Sequence, residues 1–239
     1  MIDTHAHLGD DADEVLARAR AAGVTRVIDV ATSVAAGRGV LARAEREDGV
    51  YACLGVHPHE SDGEGLDGLR ELLAHPKAVA VGETGLDYFR DYAPHDAQQR
   101  VFDAQLALAR ELGKPVVIHT RAADDDTRAR LLAHDGPVVL HCFSSPGLLD
   151  AALERGWYVS FAGNVTYKNA YDLRDAARRV PAERLLAETD SPYLAPQAVR
   201  GRRNEPAYVA HTYAFLSELR GEDVRAQIEA NADSVFALR

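Results

Sequence analysis

Short apolar runs recur along the chain, each separated from the next by a polar or amphipathic stretch. Ile2–His5, Arg26–Ala31, Val50–Val56 and Ala78–Gly82 predict strands, followed by Pro115–His119, Pro137–His141, Trp157–Phe161 and Arg184–Glu188. Several are apolar at successive positions, the pattern of a parallel sheet covered on both faces. The segments between them follow helical spacing. The first covers about Asp11–Ala22 and stops at Gly23, and the next are Ala35–Glu47 and Leu66–Ala74. A long helix from Pro94 carries Val101, Phe102, Leu106, Ala109 and Leu112 on one face and closes at Gly113. Thr127–Ala133, a helix opened by Ser145-Pro146 and ending before Gly156, and Ala170–Arg178 complete the alternation. Asn204 is suited to cap a helix begun at Glu205-Pro206, and one more helix closes the chain. Strand–helix alternation repeated in this way predicts the α/β class and a (β/α)8 TIM barrel, with residues 1–239 as a single domain.

Composition narrows the setting. A hydrophobic content of 46% is enough for a large core, and no stretch is long and apolar enough to span a bilayer. Strand-like sequence begins at Ile2, which leaves no room for a signal peptide, and Cys53 and Cys142 sit in apolar surroundings as expected of reduced thiols. The expected setting is cytoplasmic, with no membrane and no obligate protein partner. A formal charge of −10 argues against a broad basic face for long duplex nucleic acid. It leaves room for an anionic substrate held through bound cations.

In such barrels the chemistry lies where strands end at the C-terminal rim. His5 and His7 alternate onto one face at the end of the first strand. The fourth strand ends in Glu83, the fifth in His119, the sixth in His141 and the eighth in Asp190. Taken alone, each histidine is more simply a satisfied core or rim residue; the agreement of five strand ends points to a metal centre. Parity places Val81, Val117 and Val139 one layer beneath Glu83, His119 and His141. Six ligands exceed one tetrahedral ion and suit two divalent ions, with Mg, Mn, Zn or Fe all compatible. Glu83 is the expected bridge, and Asp190 both a ligand and the acceptor of a proton from attacking water. Glu188 and Asp3 share faces with Asp190 and His5, as groups orienting the ligands or as structural carboxylates.

His57 and His59, beyond the third strand, are expected to contact substrate. So are Arg202 and Asn204 within Arg200–Asn204, the one dense basic patch, with Lys168 a weaker candidate of the same kind. His75, His95, His134 and His211 fall on helices and are expected to be solvated, and Cys142 to point away from the site.

These residues carry a resemblance. Asp3-Thr4-His5-Ala6-His7, Gly82-Glu83-Thr84-Gly85-Leu86-Asp87-Tyr88, Pro115–His119 and His141–Ser144 are similar to motifs of the TatD family of metal-dependent deoxyribonucleases. So are Gly163–Thr166, Glu188–Pro196, Arg200–Pro206 and Glu229–Ala232, in order over essentially the whole chain. The resemblance implies a divalent-metal phosphodiesterase acting on DNA, trimming single-stranded ends. It also implies that His5, His7, Glu83, His119, His141 and Asp190 bind the metals. The segment after His7 is shorter than the family's usual one, and Ser145 stands where the family often has glycine, so both differences bear on substrate range. Glu83 occupies a position where many amidohydrolase relatives carry a lysine, which sets the chain apart from amidases and deaminases. The competing readings are a hydrolase of a small cyclic amide, ester or phosphoester on the same barrel, and a non-catalytic metal-binding scaffold.

Overall fold

In the computed structural model, residues 1–63, 65–90 and 92–238 are described. Eight parallel strands form one sheet in sequence order, curled into a barrel with helices outside. They are β1 (Ile2–Ala6), β2 (Arg26–Val30), β3 (Val50–Leu54), β4 (Ala78–Asp87), β5 (Val116–Arg121), β6 (Val138–Leu140), β7 (Tyr158–Phe161) and β8 (Leu185–Ala187). The helices are α1 (Ala12–Ala21), α2 (Val34–Arg46), α3 (Leu69–Leu73), α4 (His95–Leu112), α5 (Asp124–Leu132), α6 (Leu149–Arg155), α7 (Tyr171–Arg179), α8 (Val209–Arg220) and α9 (Arg225–Phe236). The (β/α)8 architecture is therefore the expected one.

Two apolar layers follow from the alternation of side chains along each strand. An inner cluster draws on every strand, with Ile2, Ile28, Cys53, Val79, Val117, Val139, Tyr158 and Leu186 among its members. Ala232, Val235 and Phe236 of α9 join it and close the barrel floor. The outer cluster packs the other strand face under the helices, with Val27, Leu54, Ile118, Leu140 and Val159 against residues such as Leu16, Phe102 and Leu216.

Several local expectations are revised. Val81 packs in the outer cluster, although Glu83 points into the barrel mouth, so these two residues do not share a face. The cause is a register shift between Val81 and Thr84, which inserts an extra residue in β4. Val117 and Val139 do lie beneath His119 and His141 as alternation requires. β4 also runs on past its glycines to Asp87, because Gly85 lets it close on β5: at φ +141° a Cβ there would sit 1.9 Å from the His119 carbonyl oxygen. α5 begins at Asp124 rather than Thr127, its first turn holding Asp124, Asp125 and Asp126, where carboxylates favour the positive end of the helix dipole. α3 is shorter than expected, starting only after Gly68.

The barrel closes on itself differently from the way it is laid down. β1 and β8 share no regular ladder; at the rim a single bridge pairs Ala6 with Ser191. Side chains bind the rest of the seam. The Asp3 carboxylate accepts from the Thr189 N–H at 2.8 Å and the Thr189 hydroxyl at 2.6 Å, and the Thr4 hydroxyl donates to the Ala187 carbonyl at 3.0 Å. Asp190 N–H then donates to the His5 carbonyl at 2.9 Å, which sets one candidate ligand beside another.

Candidate metal centre

At the C-terminal rim a cavity of about 1100 Å³ opens over His7, Glu83, His119, His141 and Asp190. Glu83 stands at its centre. Its Oε1 lies 2.8 Å from His141 Nε2 and 3.0 Å from His119 Nδ1, and its Oε2 lies 3.5 Å from His5 Nε2 and 3.7 Å from His7 Nε2. Asp190 lies 3.6 Å from His7 Nε2 and 4.0 Å from His5 Nε2. All six residues expected as ligands therefore meet in one place.

Three of the histidines are held from behind. His7 Nδ1 lies 3.1 Å from the Val30 carbonyl, His119 Nε2 lies 3.2 Å from Asp87 Oδ2, and His141 Nδ1 lies 3.2 Å from Glu188 Oε1. With one proton fixed on the tethered nitrogen, the other nitrogen of each ring faces the cluster, where it can offer its lone pair to a cation that displaces the second proton, the usual second contact of a metal-binding imidazole. Glu188 thus orients His141, and it also accepts from the Cys142 N–H at 2.6 Å. Asp3 works through backbone, holding Thr189 next to Asp190.

The residues fit a divalent cation on this structure's own terms. His5 is 1% exposed, and neither of its ring nitrogens has a hydrogen-bond partner. A buried polar atom left unpaired costs about 1–3 kcal/mol, which a bound cation at Nε2 would relieve. Donor atoms of His5, His7 and Asp190, and of His5, Glu83 and His141, lie within 4.8 Å of one another. Imidazole and carboxylate donors in that combination suit Zn, Mn, Fe or Mg. His57, Glu83 and His119 make a third such group, but His57 Nδ1 accepts the His59 N–H at 3.1 Å. Its Nε2 then carries the proton and points as a donor toward Glu83 Oε1, 3.4 Å away, so His57 acts as a donor rather than a ligand.

Charge within the cluster is balanced by protons when no cation is bound. Burial favours the neutral form of Glu83, but His141 and His57 and the hydrogen bonds from His119 and His141 outweigh it and hold the carboxyl well below the usual range. Burial likewise acts against the Asp190 anion, and His7, His141 and His5 reverse the effect, lowering its pKa. Against burial, hydrogen bonding to Asp190 and the charges of Glu83 and Asp190 push His7 up to about 9. Burial lowers His57 to about 4, despite the pull of Glu83.

The remaining candidates separate. His57 and His59 both line the cavity, His59 Nε2 bonded to Asp87 Oδ2 at 2.9 Å. Asn204 does not reach it: buried, it donates to the Thr189 carbonyl at 2.9 Å and to the Tyr193 carbonyl, so its amide fastens the loop after β8. Arg202 is exposed and outside the cavity lining, as is Lys168. Arg200 lies over the Tyr167 ring at 4.2 Å and Arg203 pairs with Asp11. The cations lining the cavity are instead Arg43, Arg90 and Arg121. Cys142 is corrected too. The strand has ended at Leu140, φ at Cys142 is +44°, and the half-buried residue lines the cavity, with the Asp190 charge acting on its thiol. His134 is buried rather than solvated, folded back against Gly136 at the end of α5. His75 pairs with Glu45 at 3.0 Å and His95 stacks on Tyr88 at 3.9 Å.

Sequence reasoning missed Asp87, which accepts from both His59 and His119. Its signal was the period-two series Glu83, Gly85, Asp87 along one extended strand.

Comparison with known proteins agrees with this geometry. The family model described as TatD related DNase matches residues 2–237. The chain is 41% identical over 255 residues to the uncharacterized metal-dependent hydrolase YcfH of Escherichia coli K12, covering 100% of this chain and 95% of the relative. It is 37% identical over 250 residues to a 3′-5′ ssDNA/RNA exonuclease TatD of Klebsiella pneumoniae, covering 98% and 95%. Among solved structures, the TatD homologue YJJV of Escherichia coli K12 superposes with a TM-score of 0.93 at 33% identity, covering 100% of this chain and 98% of that one.

Proposed function

Since the chain belongs to the family of TatD related DNases, we propose that it is a divalent-metal-dependent phosphodiesterase that shortens single-stranded DNA from its 3′ end. The observation that carries the reading is the convergence of His5, His7, His119 and His141 with Glu83 and Asp190, three of the rings tethered from behind. His5, His7, Glu83 and Asp190 would hold one ion, and Glu83, His119 and His141 the other, with Glu83 shared. Divalent cations bound there supply electrophilic stabilisation of a phosphate and acidify water.

The protein's own groups do the rest. Asp190, ionised at neutral pH, accepts the proton of the attacking water. His59 offers its ring beside Asp87 to a phosphate oxygen at the mouth, while His57 directs its Nε2–H at Glu83 and shapes the wall beside it. Arg90 and Arg121 add positive charge along the same cavity in a chain of net charge −10, whereas Arg43 is paired with buried Asp29. This confines attraction to the mouth and favours a strand end over long duplex. Residues 1–239 work as one catalytic unit with nucleic acid as the partner. Two free thiols support a cytoplasmic setting, and among the described residues no helix is long and apolar enough to cross a membrane.

The test is cleavage of a 5′-labelled single-stranded DNA oligomer by metal-stripped protein resupplied with Mg, Mn or Zn. A His5→Ala/His7→Ala variant controls for contaminating nuclease. Stepwise shortening in the parent protein and none in the variant is the expected result. No cleavage with any cation rejects the reading and turns attention to cyclic amides, lactones and small phosphoesters.

A further inference from the structure

Large apolar side chains exposed on the described surface are Phe89, Tyr92, Leu132, Tyr171 and Tyr193. Only Tyr92 and Tyr193 of these also line the cavity over the candidate metal centre. They are 63% and 62% exposed, so each ring offers a free face at the mouth. Phe89 differs: the Arg121 guanidinium lies 3.9 Å from its ring centroid.

Both tyrosines are seated against residues of the site. The Tyr193 ring lies 6.4 Å from that of His7, edge to face at 68°. Its backbone is pinned: Tyr193 N–H donates to the Asp190 carbonyl at 2.9 Å, and the Tyr193 carbonyl accepts from buried Asn204. The backbone that carries the ring is therefore fixed three residues from a candidate ligand. The Tyr92 ring lies 4.8 Å from that of His59 at 89°, with the Arg90 guanidinium 6.0 Å from its centroid. One ring follows β8 and lies against His7 beyond β1, and the other follows β4 and lies against His59 beyond β3, both lining the cavity that holds Glu83.

We infer that Tyr193 and Tyr92 are stacking platforms for the unpaired bases on either side of the scissile phosphate, and that they select single strands. The inference rests on the phosphodiesterase reading above and adds the part of the substrate recognised. Every base has a π-face, so stacking holds a strand without regard to sequence. In a duplex those faces are covered by neighbouring pairs and the same rings gain nothing. An exposed aromatic pair around an anion-binding centre therefore discriminates by strandedness where the acidic surface offers no duplex grip.

The experiment measures steady-state cleavage of a single-stranded oligomer, and of the same oligomer with abasic residues at its last two positions, by the metal-loaded protein and its Tyr92→Ala, Tyr193→Ala and corresponding Phe variants. Binding is followed in parallel by quenching of 2-aminopurine placed at those positions. Each Ala variant is expected to raise KM about tenfold with a smaller effect on kcat, and to lose the quenching. The Phe variants should keep both, and the abasic penalty seen with the parent protein should vanish in the Ala variants. Wild-type KM in the Ala variants, or a loss equally large on the abasic oligomer, overturns the stacking assignment while leaving the nuclease reading intact. A parent protein that neither binds nor cleaves any oligomer rejects both.

Discussion

Asp87 offers the sharpest test of how the cluster is tuned, because one substitution changes a proton's position with almost no change of shape. Its Oδ1 accepts the N–H groups of Phe89 and Arg90, each at 3.0 Å, and so fixes the turn after β4. Its Oδ2 accepts from His59 Nε2 at 2.9 Å and His119 Nε2 at 3.2 Å. Asp87→Asn keeps the first pair of bonds, but its amide NH₂ replaces the second acceptor and opposes two ring N–H groups. His119 can keep a hydrogen bond there only by moving its proton to Nδ1, the atom that faces Glu83 3.0 Å away. The lone pair needed for a cation is then gone. Carboxylates of this kind contribute 10–100-fold to metal affinity, so the loss expected is about 1.4–2.7 kcal/mol at the site that uses His119. Competition against a chromophoric zinc chelator, with the metal content of the purified protein measured alongside, reads this directly. The variant should retain the site made by His5, His7 and Asp190 and lose most of the other. An Asn variant that binds both ions with parental affinity would refute the argument that Asp87 sets the His119 tautomer; a lower melting temperature alone would not support it.

Cation binding should be tied to proton release. His7 has its pKa raised to about 9 in the metal-free protein, so below that pH a cation must displace its proton; affinity should climb with pH and level off near 9, with calorimetry in buffers of different ionisation enthalpy counting the protons released. A pH-independent affinity between 6 and 9 would contradict this. Burial raises the Asp3 pKa from 3.8 to about 8, above its unfolded value. Its stabilising contribution is therefore full below pH 3.8 and lost as pH rises toward 8, and Asp3→Asn, whose Oδ1 still accepts the Thr189 N–H while its Nδ2 donates to the Thr189 hydroxyl, should flatten that decline in urea unfolding of metal-free protein. Gly85→Ala should cost about 2 kcal/mol or more, since φ is +141° and the added Cβ would strike the His119 carbonyl; thermal unfolding unchanged from the parent would show that β4 can shift away.

The barrel could be read from the sequence because a parallel sheet covered on both sides must be written in apolar runs, and strand ends in a barrel must converge. His5, His7, His119 and His141 needed no more than that. What escaped was set by local geometry that alternation does not encode. The extra residue between Val81 and Thr84 reversed the face of Val81 without moving Glu83 from the mouth. A positive φ at Cys142, just beyond the end of β6, placed a residue expected in the core along the cavity. The basic loop after β8 suggested phosphate contacts by its charge, but Arg203 is committed to Asp11, and Asn204 to the backbone of its own loop. Arg90 and Arg121 sit singly after β4 and within β5, and an isolated arginine carries no pattern to notice.

The seam between β1 and β8 governs when the candidate metal centre first becomes complete. His5 lies on the first strand of the barrel, yet its neighbour in the site is Asp190 on the last, and the bonds that draw the two strands together join Asp3 to Thr189 across 186 positions of chain. Until β8 has emerged, the nascent polypeptide holds imidazoles without the acid that completes them. A chain halted short of that point is a barrel with an open side and an incomplete set of candidate ligands. The last strand is thus the safety catch as well as the closing stave, because the candidate metal centre is complete only once it is in place.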